Sequence, residues 1–281
     1  MLNAVIMAAG KGKRFQKGFY PKSLMPLDSL NQTTLSLNLS HLTSLPLDQI
    51  FLVIGANFNT MVQWFHAVPK ERKDVKLVDA RQSYQKGPLF SFRVLKTSIS
   101  ELEPILLFPA DTWFSSHIWK ELERILPEIS KLDQDILFYS QLPLAHKYGN
   151  YAVKINEKNG FSAEIEIKLS IKFQKVQEIV PRKVYRRENP NTQKIPLILP
   201  FMILSTKTIK SLFDMPSPSV STIFQAILQM IEEGREIKTI SLSLPSQKNQ
   251  ALEVPFFVDL DYYSDYELLK SLVASSNHFN L

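Results

Sequence analysis

A chain of 281 residues, 44% of them hydrophobic and 21% charged, can bury a substantial core in one large domain or two small ones. It contains no cysteine, which excludes disulfides, zinc–thiolate centres and a cysteine nucleophile. Lys and Arg outnumber Asp and Glu 33 to 27, and the surplus of +6 suits an anionic ligand. No stretch approaches the roughly 20 apolar residues of a membrane helix. The N-terminal apolar run is too short for a secretory signal, and its charges follow it rather than precede it. No nucleic-acid-binding module is visible. The expectation is a cytoplasmic protein that binds neither membrane nor nucleic acid.

The first element is a short buried strand, Ala4-Val5-Ile6-Met7. It runs into small residues, Ala8, Ala9 and Gly10, and then into Lys11, Gly12, Lys13 and Arg14, with Pro21-Lys22 beyond. Small residues let a ligand approach the backbone, and successive N–H groups in such a turn form a concave anion site. With four cations nearby, the stretch reads as a triphosphate-binding loop. It is not the dinucleotide fingerprint, because Phe15 stands at the third glycine position. Nor is it a Walker loop, which needs a Gly-Lys-Ser/Thr ending.

A Leu-spaced helix follows (Leu35, Leu39, Leu42), then a second strand, Ile50 to Gly55, and a helix around Met61 to Phe65. Lys76 to Asp79 is a third strand. The loop from Ala80 to Gly87 leads to a helix starting at Pro88, a residue suited to a first helical turn. The fourth strand, Ile105 to Phe108, ends in Pro109-Ala110-Asp111 and is followed by a helix from His117 to Leu126. Strands alternating with helices at this spacing predict a doubly wound, mostly parallel α/β sheet. Its ligand crevice lies at the carboxyl ends of the strands, where Asp111 projects.

From Asp135 the pattern changes. Ile136 to Tyr139 is a strand, and Tyr151 to Ile155 with Ala163 to Ile167 reads as a hairpin around the turn at 156–160. Residues 168–194 are the most basic stretch and read as a solvated flap, or as a lid over a phosphorylated substrate. Leu197 to Leu204 is an apolar strand interrupted by Pro200, Ser221 to Glu233 is helical, and Phe256 to Asp261 precedes a last helix from Asp265. No internal repeat appears, so 1–281 is expected to be one domain, with 1–134 its nucleotide-binding half and 135–281 its acceptor-binding half.

The loop Ala8, Gly10, Gly12, Arg14 with Pro21-Lys22 resembles the signature of the nucleotidyltransferase superfamily, which spans sugar-1-phosphate nucleotidyltransferases, phosphocholine cytidylyltransferases and molybdenum-cofactor guanylyltransferases. Ala9 and Lys13 depart from the sugar-phosphate subgroup, which has Gly and Thr there. The resemblance implies a Rossmann-like, three-layer α/β/α fold with a small β-hairpin acceptor subdomain. It implies transfer of NMP from an NTP to a phosphorylated acceptor, most simply a sugar 1-phosphate, with Mg²⁺ as cofactor. Arg14 and Lys22 would act on the phosphates, and Ala8, Ala9, Gly10, Lys11 and Gly12 would line the nucleotide.

Asp111 matches the family's first magnesium ligand. Val258-Asp259-Leu260-Asp261 and Asp265 resemble its closing acidic segment, with Asp261 the match for the second ligand and Asp259 the next best. Tyr262-Tyr263-Ser264 replace the usual Thr-Pro-Glu there, and Asp265 also reads as a helix-start acid. Gln82 and Gly87 fall where uridylyltransferases contact the base, whereas Gly87-Pro88-Leu89 resembles the guanylyltransferases. Gly149, after Tyr148, and Glu166 with Lys168 resemble the acceptor-sugar contacts. Alternative readings are a cytidylyl- or guanylyltransferase with a phosphocholine-like or molybdopterin-like acceptor, or a catalytically silent sensor or subunit. The nucleotide, the acceptor and homo-oligomerisation are left open.

Overall fold

The computed structural model describes residues 2–15, 21–67, 75–99, 101–143, 146–155, 173–216, 220–242 and 256–276. Four apolar runs of the N-terminal half form strands: β1 (Asn3–Ala8), β2 (Ile50–Ile54), β3 (Val75–Asp79) and β4 (Ile105–Pro109). Such continuous runs suit parallel strands covered on both faces. They lie in the order β3-β2-β1-β4, all parallel, with Ala4 between Ile50 and Leu106. The chain moves outward from β1 to β3 and then returns to the other side of β1. Strand order therefore reverses between β1 and β4, and a crevice opens at their carboxyl ends.

Helix α1 (Thr34–Ser44) starts at a capping box in which Thr33 and Ser36 exchange side-chain-to-backbone hydrogen bonds. α2 (Phe58–Ala67) and α3 (Pro88–Arg93) follow β2 and β3, and Pro88 opens α3. α4 (Ser116–Ile129) buries Ile118, Leu122, Ile125, Leu126 and Ile129, one apolar stripe at helical spacing.

Beyond β4 come β5 (Thr112–Phe114), β6 (Ile136–Pro143), β7 (Tyr151–Ile155), β8 (Phe173–Pro181), α5 (Arg182–Glu188), β9 (Lys194–Leu204), α6 (Thr206–Asp214), α7 (Ile223–Glu232), β10 (Lys238–Ser241), β11 (Phe257–Asp259) and α8 (Tyr263–Ser276). Among the described residues the main sheet has nine strands, in the order β3-β2-β1-β4-β9-β6-β10-β8-β7. β9 runs antiparallel between β4 and β6, so the sheet is parallel in its first half and mixed in its second. Pro200 is tolerated in β9 because the register against β6 shifts between Leu137 and Tyr139, where a missing N–H breaks no regular ladder.

One face of the sheet carries α1, α4 and α8, the other α3, α6 and α7, each over its own buried apolar cluster. This is the three-layer, doubly wound arrangement that the alternation of elements predicts. Phe201 of β9 is fully buried among Phe108, Phe114 and Phe138, with ring centroids 5.3, 5.4 and 5.0 Å away.

The basic stretch 168–194 differs from expectation where it is described. Residues 173–181 are not a flap: they form β8, paired antiparallel with β7 and β10. Phe173, Val176 and Val180 are its buried residues, and a register shift opposite Lys154 and Ile155 breaks the simple alternation. That irregularity, within a stretch rich in lysine and arginine, hides the strand from pattern reading. The expected hairpin partner of β7 at 163–167, with Glu166 and Lys168, lies outside the described residues.

Candidate active site

The loop after β1 is built for close approach. A Cβ placed on Gly10 would meet nothing within 4 Å. Gly12 adopts φ +61°, a conformation that favours glycine, and its carbonyl accepts the Phe15 N–H at 2.9 Å in a tight turn. The stem of Lys22 lies beside this turn, 3.7 Å from where a Gly12 Cβ would stand. Lys11 Nζ stands 5.5 Å from the centroid of the Tyr84 ring. Ala9 is buried, and its methyl stands only 3.1 Å from where a Cβ on Gly55 would be. An alanine is thus accommodated where the sugar subgroup has glycine, because the residue that follows β2 opposite it is a glycine.

Phe15 anchors the far side of the loop. It packs edge-on against Tyr263 and Tyr266 of α8, at 6.0 and 6.4 Å, and the Tyr266 hydroxyl donates to the Pro26 carbonyl at 2.6 Å. The last helix therefore holds the first loop in place.

Asp111 lies two residues beyond the end of β4. β5 pairs antiparallel with β11, Thr112 opposite Asp259, and the Leu260 N–H donates to the Asp111 carbonyl at 3.0 Å. This short ladder gathers Asp111, Asp259 and Asp261 from distant parts of the chain. Lys22 Nζ lies 2.5 Å from Asp111 Oδ2 and 3.7 Å from Asp261 Oδ1, and Arg14 Nη1 lies 3.0 Å from Asp261 Oδ2. Only 17% of the Lys22 side chain is exposed, against 68% for Arg14. Burial opposes the Lys22 charge, but Asp111, Asp259 and Asp261 together outweigh it and hold its pKa above the ordinary value.

Asp259 is pushed up to about 7, first by burial and then by Asp111 and Asp261, against the pull of Lys22 and a 3.4 Å hydrogen bond from the Thr112 hydroxyl. The cluster thus holds more negative charge than Lys22 balances. Among the described residues no three acidic or imidazole side chains converge tightly enough to cage a metal alone. Oxygen donors in this number fit an ion that keeps phosphate and water in its shell, as Mg²⁺ does.

The raised Asp259 pKa has a definite sign. Between its ordinary value of 3.8 and about 7 the folded state binds more protons at Asp259 than the unfolded chain does. The metal-free protein should therefore lose stability as pH rises through that window. Asp259→Asn should flatten this slope in urea melts taken at successive pH values.

Asp265 stands apart from this cluster. Its side chain is buried, and Oδ2 accepts the Tyr262 N–H at 2.8 Å in the first turn of α8. Oδ1 accepts the Tyr148 hydroxyl at 3.1 Å and the Lys147 ammonium. It is a helix-start acid that also ties down the 147–149 loop. Burial, then the Asp265 charge, pushes the Tyr148 phenol above its ordinary pKa. Gly149 lies against β9 and β11: a Cβ there would sit 3.3 Å from Leu197 Cδ1 and 3.6 Å from the Phe257 ring.

In the loop after β3, Arg81 pairs bidentately with Asp79 and stacks over the Phe58 ring at 3.9 Å. Gln82 is exposed on the following turn. Gly87 has φ +119°, and a Cβ there would come within 2.6 Å of the Ser221 carbonyl, which accepts the Leu89 N–H at 3.0 Å. The structure thus brings together Arg14, Lys22, Asp111, Asp259 and Asp261. It sets Gln82 and Gly87 on the β3 loop and Gly149 beside β11. Pattern reading missed Asn38, Tyr84, Phe58 and Arg81, which lie among ordinary helix and loop residues.

The reversal of strand order between β1 and β4 sets cations and carboxylates against one another at the carboxyl ends of these strands. Residues 4–141 match the family of MobA-like NTP transferase domains, and the chain carries that domain. No curated protein matches the sequence. Solved structures match it nearly end to end. A UDP-glucose pyrophosphorylase complexed with UDP-glucose is 13% identical with TM-score 0.68, covering 98% of this chain and 98% of that one. The CTP:phosphocholine cytidylyltransferase of Streptococcus pneumoniae is 13% identical with TM-score 0.61, covering 97% and 99%. HddC of Yersinia pseudotuberculosis complexed with GMP-PN is 16% identical with TM-score 0.64, covering 97% and 100%. Likeness at these identities establishes the fold.

Proposed function

We propose that this protein is a Mg²⁺-dependent nucleotidyltransferase that moves NMP from an NTP onto a phosphorylated small molecule, a sugar 1-phosphate, and releases pyrophosphate. A phosphate oxygen of the acceptor bonds to the α-phosphorus as the bond from that phosphorus to the β-phosphate bridge breaks. The attacking oxygen is already ionised, so positioning and charge neutralisation suffice and no protein nucleophile is needed.

The observation that carries the reading is the Lys22 ammonium, set between Asp111 and Asp261 beside the Gly12 turn. In this reading Arg14, Lys11 and the N–H groups from Ala8 to Gly12 hold the β- and γ-phosphates. Lys22 bridges the α-phosphate and the acceptor phosphate. Asp111 and Asp261 are the residues to hold Mg²⁺, which would neutralise phosphate charge there. Gln82 and Gly87 face the base, and Gly149, Glu166 and Lys168 serve the acceptor. The chain acts as one domain, 1–134 binding nucleotide and 135–281 the acceptor. Among the described residues no helix is long and apolar enough to cross a membrane, which is compatible with a cytoplasmic enzyme. The solved structures include both a UDP-glucose and a phosphocholine enzyme, so a non-sugar acceptor is the second reading.

Thermal stability against ATP, GTP, CTP and UTP, each with and without Mg²⁺, tests the proposal. One nucleotide should raise the midpoint by mass action, and Asp111→Ala should abolish the Mg²⁺-dependent part. The responding nucleotide then narrows the acceptor to compounds paired with it. No response to any NTP would leave a silent nucleotidyltransferase-like domain as the better description.

A further inference from the structure

We infer that Asn38, a residue of α1 far from the loop motifs, is a positioning residue for Asp111 and sets the metal affinity of the site. The inference rests on the proposed role of Asp111. Asn38 occupies the buried stripe of α1, between Leu35 and Leu39 and followed by Leu42, where the helical pattern calls for an apolar side chain. It is 1% exposed. A buried amide is retained at such a place only when its hydrogen bonds are made.

Asn38 Nδ2 donates to the Thr112 carbonyl at 2.9 Å and to the Pro109 carbonyl at 3.3 Å. Those two carbonyls bracket Ala110 and Asp111, so a single amide group spans the turn that carries the carboxylate. Two further bonds fix the same turn: Ala110 N–H to the Met7 carbonyl at 3.3 Å, and Leu260 N–H to the Asp111 carbonyl at 3.0 Å. The turn is therefore held by β1, by the strand bearing Asp259 and by Asn38. Of these three, Asn38 is the one that holds the turn's backbone through a side chain, so it can be replaced without changing a strand. Groups that orient a metal ligand from behind typically change metal affinity 10–100-fold when removed. Leucine has nearly the shape of asparagine but no donor. Serine is smaller and leaves room for a water.

The experiment is Mn²⁺ binding to the full-length protein, without and with the nucleotide that the stability screen identifies, followed by electron paramagnetic resonance, with melting temperature measured alongside. Asn38→Leu and Asn38→Ser should weaken Mn²⁺ binding at least ~10-fold relative to wild type, in samples shown to be folded at the assay temperature. Mn²⁺ affinity equal to wild type in either folded variant, whatever its melting temperature, would show that Asn38 only supports packing and would overturn the inference. Should Asn38→Leu not fold, Asn38→Ser alone decides. A wild-type protein that binds no Mn²⁺ either without or with that nucleotide would instead overturn the metal reading of Asp111, and this inference with it.

Discussion

Lys22→Ala should slow turnover by roughly 10²–10³-fold, the scale seen when one preorganised charge donor is taken from a transition state. Lys22 Nζ is held by Asp111 and Asp261 in the ligand-free protein. The same substitution leaves Asp111, Asp259 and Asp261 facing one another, and among the described residues Arg14 pairs with Asp261 alone of the three. A stability loss is therefore expected as well. It should be larger at pH 8 than at pH 5, because Asp259, raised to about 7, is neutral at the lower value. Saturating Mg²⁺ should restore stability without restoring rate. The measurements are pyrophosphate release with the nucleotide identified by the stability screen, and urea melts at both pH values. A rate that recovers together with stability would mean that Lys22 is only a counter-ion for the carboxylates.

The largest stability effect is expected from Phe201→Ala, at about 3–5 kcal/mol. Phe201 is fully buried and contacts three other phenylalanines, one of them Phe108, three residues before Asp111, and another Phe114 of β5. The cavity would open beneath the two strands that carry and brace Asp111. Surrounding rings are stiff and collapse poorly into such a void, so the effect should lie within this range rather than below it. Urea denaturation should show a lower midpoint with an unchanged slope. An effect below about 1 kcal/mol would mean that the aromatic cluster repacks, contrary to its dense arrangement.

The parallel half of the fold is legible in the chain because β1, β2 and β4 are continuous apolar runs ending in small or turn residues. Such strands announce themselves without reference to their neighbours. Asp111 is legible for the same reason, as the first carboxylate after the clearest of these runs. The antiparallel half is less so. β5 has three residues, too few for any period, and its meaning comes entirely from the pairing of Thr112 with Asp259. β8 carries a register shift that breaks alternation. Arg81 stacked on Phe58, and Tyr84 beneath Lys11, depend on loops whose course only tertiary contacts decide. Asn38 gives only a polar break in the leucine stripe of α1, and its meaning comes from the turn it faces. The acidic segment at 259–265 shows the same division. Its aspartates are visible in sequence, but the turn at Tyr262 separates two functions, with Asp261 turned to Lys22 and Asp265 buried at a helix start.

The pairing of 112–114 with 257–259 also dictates an order of events as the chain is made and folds. Synthesis delivers the glycine turn, Lys22 and Asp111 well before the strand and helix that complete their surroundings. Until β11 docks, Asp111 lacks the Leu260 N–H on its carbonyl. Until α8 docks, Phe15 lacks its tyrosines and the Pro26 carbonyl its hydroxyl. Closing a loop of this length is an entropic step that local structure cannot repay on its own. A nascent or C-terminally clipped chain would thus carry every residue of the N-terminal motif and still present no assembled site. The assembled site therefore depends on β11 and α8 having docked.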